Sequence, residues 1–311
     1  MLLSVVIVNW NSIDDLRACL TSLRAQLHTE LELIVVDNGS SDGSPAMVQT
    51  EFPEVKLLSQ TDNLGFAQAC NIGIDASRGE WVAMLNNDTL AQPNWARALV
   101  AEIEAAAPDC GMLQSLLLYQ DRPEVINSTG IELTYSGGGR DRDGGRAAGT
   151  THPERNLFCP TAGAAAYRRS MLHAIKLPNG YFDPDHFMYY EDLDLGWRAR
   201  LAGWSAHYVP ESVVLHRWCG SSTRHGRGWL VVLSSTNRLR TLVKNASIFF
   251  ILRTIPRTVL ELAKLIWFGR VAGLARLLKA LRQSSYLRRS VRAMERLPRR
   301  AIERQWTAAP S

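Results

Sequence analysis

The densest signal for proton chemistry in the chain is Tyr189-Tyr190-Glu191-Asp192-Leu193-Asp194-Leu195-Gly196-Trp197-Arg198, where three acids sit among aromatic and apolar residues. On a helix Asp192, Leu195 and Ala199 share one face, while Glu191, Asp194 and Arg198 share another and can pair locally. One carboxylate is thereby free to face a pocket, where burial would raise its pKa and suit it to take a proton from an attacking hydroxyl. An acidic first turn favoured by the helix dipole is the plain alternative. A second constellation is Asn86-Asn87-Asp88-Thr89, after the apolar run Trp81 to Leu85, together with His216, after Ser212 to Leu215. Asp88 suits a hard divalent ion, Mg2+ or Mn2+, that bridges two phosphates, and His216 can be a second ligand. Equally, Asp88 can cap a helix and His216 can be a solvated or core residue. Arg217 and Arg224 stand close by for phosphate contacts.

These residues need strand ends to hold them. Leu2 to Val8, Leu31 to Val36, Val55 to Leu58 and Trp81 to Leu85 read as buried strands, and Asp14 to Leu27 and Ala67 to Asp75 as helices between them. The alternation predicts an α/β fold with a mostly parallel, doubly wound sheet. Asn9, Asp37 and Asp88 then fall just past strand carboxyl ends, where open α/β sheets bind ligands. Asp37 can accept a hydrogen bond from a pyrimidine ring N–H, and ordinary turn chemistry also accounts for it. Gly137 to Gly149, rich in glycine and charge, reads as a flexible loop over the site.

The chain has 311 residues, 46% of them hydrophobic, enough for one large domain or two modest ones. Its net charge of +5 hides an asymmetry, because about 20 Lys/Arg but only about 3 acids lie from Arg217 onward. Ile248 to Ala301 reads as helical and basic, with Val271, Leu274, Leu278 and Leu281 on one face and Arg276, Lys279 and Arg282 turned away. Charges interrupt every apolar run before it reaches the roughly 20 residues that span a bilayer. The tail therefore suits an anionic membrane surface, the catalytic domain or a second subunit. The five cysteines show no C-x-x-C spacing and the N-terminus reads as a strand without a cleavage site, so a cytoplasmic location is expected. A nicotinamide enzyme lacks its G-x-G-x-x-G here and a P-loop enzyme its G-x-x-x-x-G-K-[ST]. Nucleic-acid binding has only the basic tail in its favour.

Taken in order, VVIVNWNS (5–12), VDNGSSDGS (36–44), DNLGFAQACNIG (62–73), LNNDT (85–89), MYYEDLDLGWRARLAGW (188–204) and VVLH (213–216) resemble the family 2 glycosyltransferases, in particular their rhamnosyltransferase-like branch. The resemblance spans roughly residues 2–240. It implies a GT-A fold, with a catalytic domain over 1–240, divided into a nucleotide-sugar part (1–115) and an acceptor part (116–240), and a basic helical extension over 241–311. It implies inverting transfer of a sugar from a nucleotide diphosphate to a lipid-linked or polysaccharide acceptor of the bacterial cell surface. The donor guessed first is dTDP-rhamnose, with UDP-hexoses or UDP-galactofuranose as alternatives, and an idle donor-binding member as a further one. By the same resemblance Asn9 and Asp37 hold the base and ribose, Asn63, Gly65 and Asn71 line the donor pocket with Asn86 and Asn87, and Asp88 and His216 hold the metal. The usual D-x-D of the family stands here as Asn86-Asn87-Asp88. Asp192 becomes the general base, and Gly163, Tyr189, Tyr190, Glu191 and Trp197 fall on the acceptor side.

Overall fold

The computed structural model describes residues 1–26, 30–151, 154–217 and 226–307. Arg224 lies outside them. The first half is a run of strand and helix units: β1 (Leu3–Asn9), α1 (Ile13–Arg24), β2 (Leu31–Asp37), α2 (Ser44–Glu51), β3 (Lys56–Ser59), α3 (Phe66–Ala76) and β4 (Trp81–Asn86). Then follow β5 (Thr89–Ala91), α4 (Trp95–Ala105), β6 (Cys110–Tyr119), β7 (Ile126–Ser128), β8 (Ile131–Leu133), β9 (Gly139–Asp141), β10 (Ala164–Arg168) and α5 (Arg169–Ala174). A 3-10 turn (Pro184–His186), α6 (Glu191–Leu201) and β11 (Ser205–His216) lead into the C-terminal helices α7 (Arg227–Asn245), α8 (Ile248–Arg253), α9 (Ile255–Met294) and α10 (Arg299–Trp306).

One large sheet runs in the order β3-β2-β1-β4-β10-β6-β11-β5, with β7 beside β6. Strands β3, β2, β1 and β4 are parallel. Their residues alternate between two cores: Leu3, Val5 and Ile7 face α1, α2 and α4, while Val6 faces α3. Both faces being covered, these strands read in sequence as continuous apolar runs. Strand β10 enters antiparallel between β4 and β6. A third core joins α6 to the C-terminal helices through Leu193, Trp197, Leu239, Leu242, Phe250 and Val291.

Several elements depart from the sequence reading. The stretch Gly137 to Gly149 is no free loop, because β9 pairs with β8 and the Arg142 side chain is buried, donating to Thr129 and to the carbonyls of Glu154 and Asn156. Helix α7 passes through residue 240 unbroken, so the division expected there falls within one helix. On α9 the side chains of Val271 and Leu274 are outside the described ones; beyond them the buried face is Leu277, Ala280, Ser284, Leu287 and Val291, and Leu278 is exposed. The helix packs along a seam of alternating three- and four-residue steps that includes small residues, which a search for large apolar side chains overlooks.

Candidate active site

At the carboxyl ends of the strands lies a cleft with two lobes. One, of about 360 Å³, is lined by Trp10, Asn38, Asn63, Gly65, Phe66 and Asp88. The other, of about 390 Å³, is lined by Asn127, Ser128, Arg140, Asp141, Leu193 and Ser234. Asn86, Thr161, Gly163, Tyr189, Tyr190, Asp192 and His216 belong to both, so the lobes meet at one wall that carries a carboxylate and an imidazole. A larger open groove of about 630 Å³ lies at the opposite ends of the strands. Four of its charged side chains pair with one another, Arg24 with Glu54 and Arg78 with Glu32.

Strand pairing assembles the first constellation. β11 runs antiparallel to β5 with His216 opposite Thr89, and the Arg217 N–H donates to the Asp88 carbonyl, which sets Asp88 beside His216. The imidazole Nε2 stands 3.2 Å from Asp88 Oδ1, and Nδ1 stands 2.8 Å from the Asn127 amide oxygen. The Asn127 amide thus orients the ring by way of Nδ1 and leaves Nε2 directed at Asp88. Asp88 Oδ1 is buried and makes no well-aligned hydrogen bond to the described residues. Burial pushes this carboxyl up, but contact with His216 and the charge of Arg217 outweigh it and hold the group below its ordinary value. An imidazole oriented by an amide, next to an under-bonded carboxylate held below its ordinary value, is a donor set that fits a divalent cation. Arg217 itself is ion-paired with Asp15 at 3.0 Å on the rim.

Asp192 sits in the first turn of α6, where its Oδ1 accepts from the Leu193 N–H at 2.7 Å. Burial raises its pKa to about 6; hydrogen bonds from the Leu193 and Ala162 amides and from Thr161 oppose this, and the charge of Asp141 adds to it. Glu191 beside it is driven well above the usual carboxylate range by burial and by Asp192. Its Oε2 is buried without a hydrogen-bond partner among the described residues. The backbone that delivers the pair comes close to the first lobe at Gly65, whose φ is +84° and where a Cβ would lie 2.5 Å from the Phe187 ring. Only glycine fits there.

The cleft brings together Asn63, Gly65, Asn86, Asn87, Asp88, Gly163, Tyr189, Tyr190, Glu191, Asp192 and His216. Of the other expected residues among those described, Arg217 stands at its rim, and Asn9, Asp37, Asn71 and Trp197 do not line it. Asn9 and Asp37 are turned inward: Asn9 Nδ2 donates to Asp37 Oδ1 at 3.1 Å, Asn87 donates to Asn9 Oδ1 at 2.7 Å, and Asp37 Oδ2 takes the Ser40 N–H at 3.0 Å. They hold Asn87 and the turn after β2, while the neighbouring Asn38 faces the cavity and donates to Asn63 at 2.8 Å. Asn71 is buried and its amide clips the 181–182 backbone, accepting from both N–H groups and donating to the Phe182 carbonyl. Trp197 is wholly buried edge-on to Phe158 and Phe250, since it lies on the face of α6 that meets the C-terminal helices. Asn38, Trp10 and Phe66 were missed, although each directly adjoins a strand-end or glycine motif. Asn127, Asp141 and Ser234 were missed because only long-range folding carries them to the site.

Among the described residues, Asp183, His186 and Asp194 also cluster closely enough to ligate a metal. Their charge is already matched inside the protein, because Lys244 pairs with both aspartates and Arg198 lies 3.2 Å from Asp194. This group is a structural tie between α6 and α7, apart from the cleft.

The family model "Glycosyl transferase family 2" matches residues 4–176. The N-acetylglucosaminyl-diphospho-decaprenol L-rhamnosyltransferase of Mycobacterium tuberculosis is 29% identical over 255 residues, which are 71% of this chain and 78% of that protein. The mannosyltransferase PcManGT from Pyrobaculum calidifontis, in complex with GDP-Man and Mn2+, is similar with a TM-score of 0.56 at 16% identity, over 98% of this chain and 87% of that one. Residues 1-349 of TarS from S. aureus give a TM-score of 0.50 at 16% identity, over 93% and 91% of the two chains. These structural likenesses are of fold, and that fold is GT-A. With the family model covering more than half of the chain, and its strand-end motifs gathered on one cleft, the protein belongs to glycosyl transferase family 2, in its rhamnosyltransferase-like branch, and is a glycosyltransferase.

Proposed function

We propose that this enzyme transfers a deoxyhexose, rhamnose in the first instance, from its thymidine-diphosphate donor to a sugar hydroxyl of a polyprenyl-diphosphate-linked acceptor, with inversion. The observation that carries the reading is the two-lobed cleft with Asp192 in the common wall. Donor and acceptor then approach that carboxylate from either side. The similarity to the mycobacterial rhamnosyltransferase over most of its length supports the choice of sugar and acceptor.

In this reading Asn38, Asn63 and Trp10 orient the nucleotide, and the acceptor hydroxyl meets Asp192 over the second lobe. As the hydroxyl oxygen bonds to the anomeric carbon, the bond from that carbon to the diphosphate oxygen breaks on the opposite face, and the hydroxyl proton passes to Asp192. Asp88 and His216 would hold the divalent ion, with Asn127 fixing the imidazole. When bound, such an ion neutralises charge on the departing diphosphate. Arg217 supplies fixed positive charge at the rim.

A ligand that binds only the folded state raises its melting temperature, so a thermal-shift panel of sugar nucleotides tests donor and metal together. The expected result is stabilisation by dTDP-rhamnose with Mn2+ or Mg2+, weakened in Asp88→Ala and His216→Ala. Stabilisation by UDP-hexoses or UDP-galactofuranose instead would replace the donor, and an unaltered metal titration in both variants would remove these two ligands.

The acceptor's lipid gives the C-terminal helices a role as a membrane contact. Ile248, Phe249, Leu252, Ile255, Val259 and Leu260 are exposed along α8 and the start of α9, beside Arg253, Arg257 and Arg300. From Ile248 onward the chain has 12 Arg and 2 Lys against 3 Glu, a balance suited to anionic headgroups. No helix among the described residues is long and apolar enough to cross a membrane. In flotation assays the protein is expected to bind anionic but not neutral vesicles, with Phe249→Ser plus Leu260→Ser reducing recovery. A dimer in solution that ignores both vesicles would assign this face to a second copy instead.

A further inference from the structure

Tyr190 and the residues before it, which deliver Asp192 to the cleft, hold an unfavourable backbone. Phe187, Tyr189 and Tyr190 have φ of 63°, 67° and 72°. Bulky L residues seldom adopt such values, and a run of them persists only where the surroundings over-determine it. On one side the Phe187 carbonyl accepts from the Ala67 N–H of α3 at 3.1 Å. On the other stands one side chain of α7, Asn237, which is 1% exposed. Its amide nitrogen lies 2.7 Å from the His186 carbonyl, 2.9 Å from that of Met188 and 2.9 Å from that of Tyr189. Two N–H bonds thus serve three carbonyl acceptors between residues 186 and 189. The Asn237 oxygen is buried and finds no hydrogen-bond partner among the described residues, and every hydrogen bond that the side chain makes to them goes to the loop.

We propose that Asn237 is a positioning residue for catalysis, holding the strained 186–190 backbone so that Asp192 and the two tyrosines face the wall common to both lobes. The C-terminal helical part is on this view a component of the catalytic site and not only an attachment device. Ser234, one turn earlier on α7, lines the acceptor lobe and agrees with that placement. The proposal rests on Asp192 acting as the base, and it adds that the backbone bearing Asp192 is set from α7.

The test compares Asn237→Ala and Asn237→Ser with Thr236→Val in the full-length enzyme. Thr236 is as buried as Asn237 and bonds only within its own helix, to the Val232 carbonyl at 2.7 Å, so it controls for loss of a buried polar group on α7. Misplacing a reacting group by about 1 Å can cost about 100-fold in rate. Asn237→Ala is therefore expected to lower kcat by about 10- to 100-fold with little change in donor KM. It should also move the acid limb of the pH–rate profile, since Asp192 no longer sits in its native surroundings. Thr236→Val is expected to lower the melting temperature without either kinetic change. Equal kcat losses in Asn237→Ala and Thr236→Val, or an unmoved pH limb with unchanged kcat, would overturn the proposal. So would failure of both Asn237 variants to fold while Thr236→Val is recovered normally, because Asn237 would then serve stability alone. An active Asp192→Asn enzyme would instead sink the base assignment, which keeps the two failures apart.

Discussion

Asp192→Asn is expected to lower kcat by about 10²–10⁴-fold, the usual contribution of a positioned base, while donor-induced thermal stabilisation persists. The amide keeps the shape and can still accept from the Leu193 N–H, so what is lost is the capacity to take the acceptor's proton. A pH profile supplies the second reading. With the carboxyl raised to about 6, the ionised form needed for proton uptake is lost as pH falls through about 6, and the activity of the native enzyme follows. The same shift fixes the sign of the stability effect. The folded state binds this proton more tightly than the unfolded chain does, so ionising Asp192 costs stability, fully so above about 6. Asn removes that cost. The variant should therefore melt at or above the native temperature at neutral pH, which separates lost chemistry from lost structure. Native turnover in Asp192→Asn, or an acid limb near the ordinary aspartate value, would take Asp192 out of the mechanism.

How far the site was legible depends on how local its construction is. Strands β1, β2 and β4 each bury a continuous apolar run and release a polar residue at the end, so Asn86, Asp88 and the turn after β2 stand out from pattern alone. The pattern cannot say which of two adjacent polar residues faces the ligand. Asp37 continues the β2 register opposite Asn9 and is buried, whereas Asn38, one residue on, has left the ladder and opens into the cavity. In α6 the expected Asp194 and Arg198 pair forms, yet Trp197 serves the core, because the sequence did not reveal that α7 and α8 cover that face. Strand β10 lies antiparallel between β4 and β6, and Asn127 reaches His216 across 89 positions. Such long-range pairings leave no periodic trace. Asn237 is the extreme case, a polar residue in an otherwise ordinary helix whose meaning appears only with the carbonyls it meets.

Lys244→Met is expected to destabilise the fold by about 3–5 kcal/mol, since removing one partner of a buried ion network leaves uncompensated charge. Lys244 is fully buried and pairs with Asp183 and, at 3.0 Å, with Asp194, while Arg198 and Asn245 complete the shell of Asp194. Methionine fills the space but supplies no charge, so at neutral pH Asp183 is left with Arg240 as a cation and with the uncharged His186 imidazole. Chemical denaturation at neutral pH would measure the loss, and a native midpoint would show that the network contributes little. The pH dependence carries a further signature. Burial and the charge of Lys244 lower His186 to about 4, so as pH falls below 6.5 the unfolded chain takes up this proton first and native stability declines. Asp183 and Asp194 are held below the ordinary value, and their contribution is lost at still lower pH. Without Lys244 the His186 imidazole would protonate more readily beside Asp183 and partly replace the missing cation. The variant should therefore lose less stability between pH 6.5 and about 4 than the native enzyme, although it starts from a lower value. Parallel stability curves over that range would mean that Lys244 and His186 are not coupled.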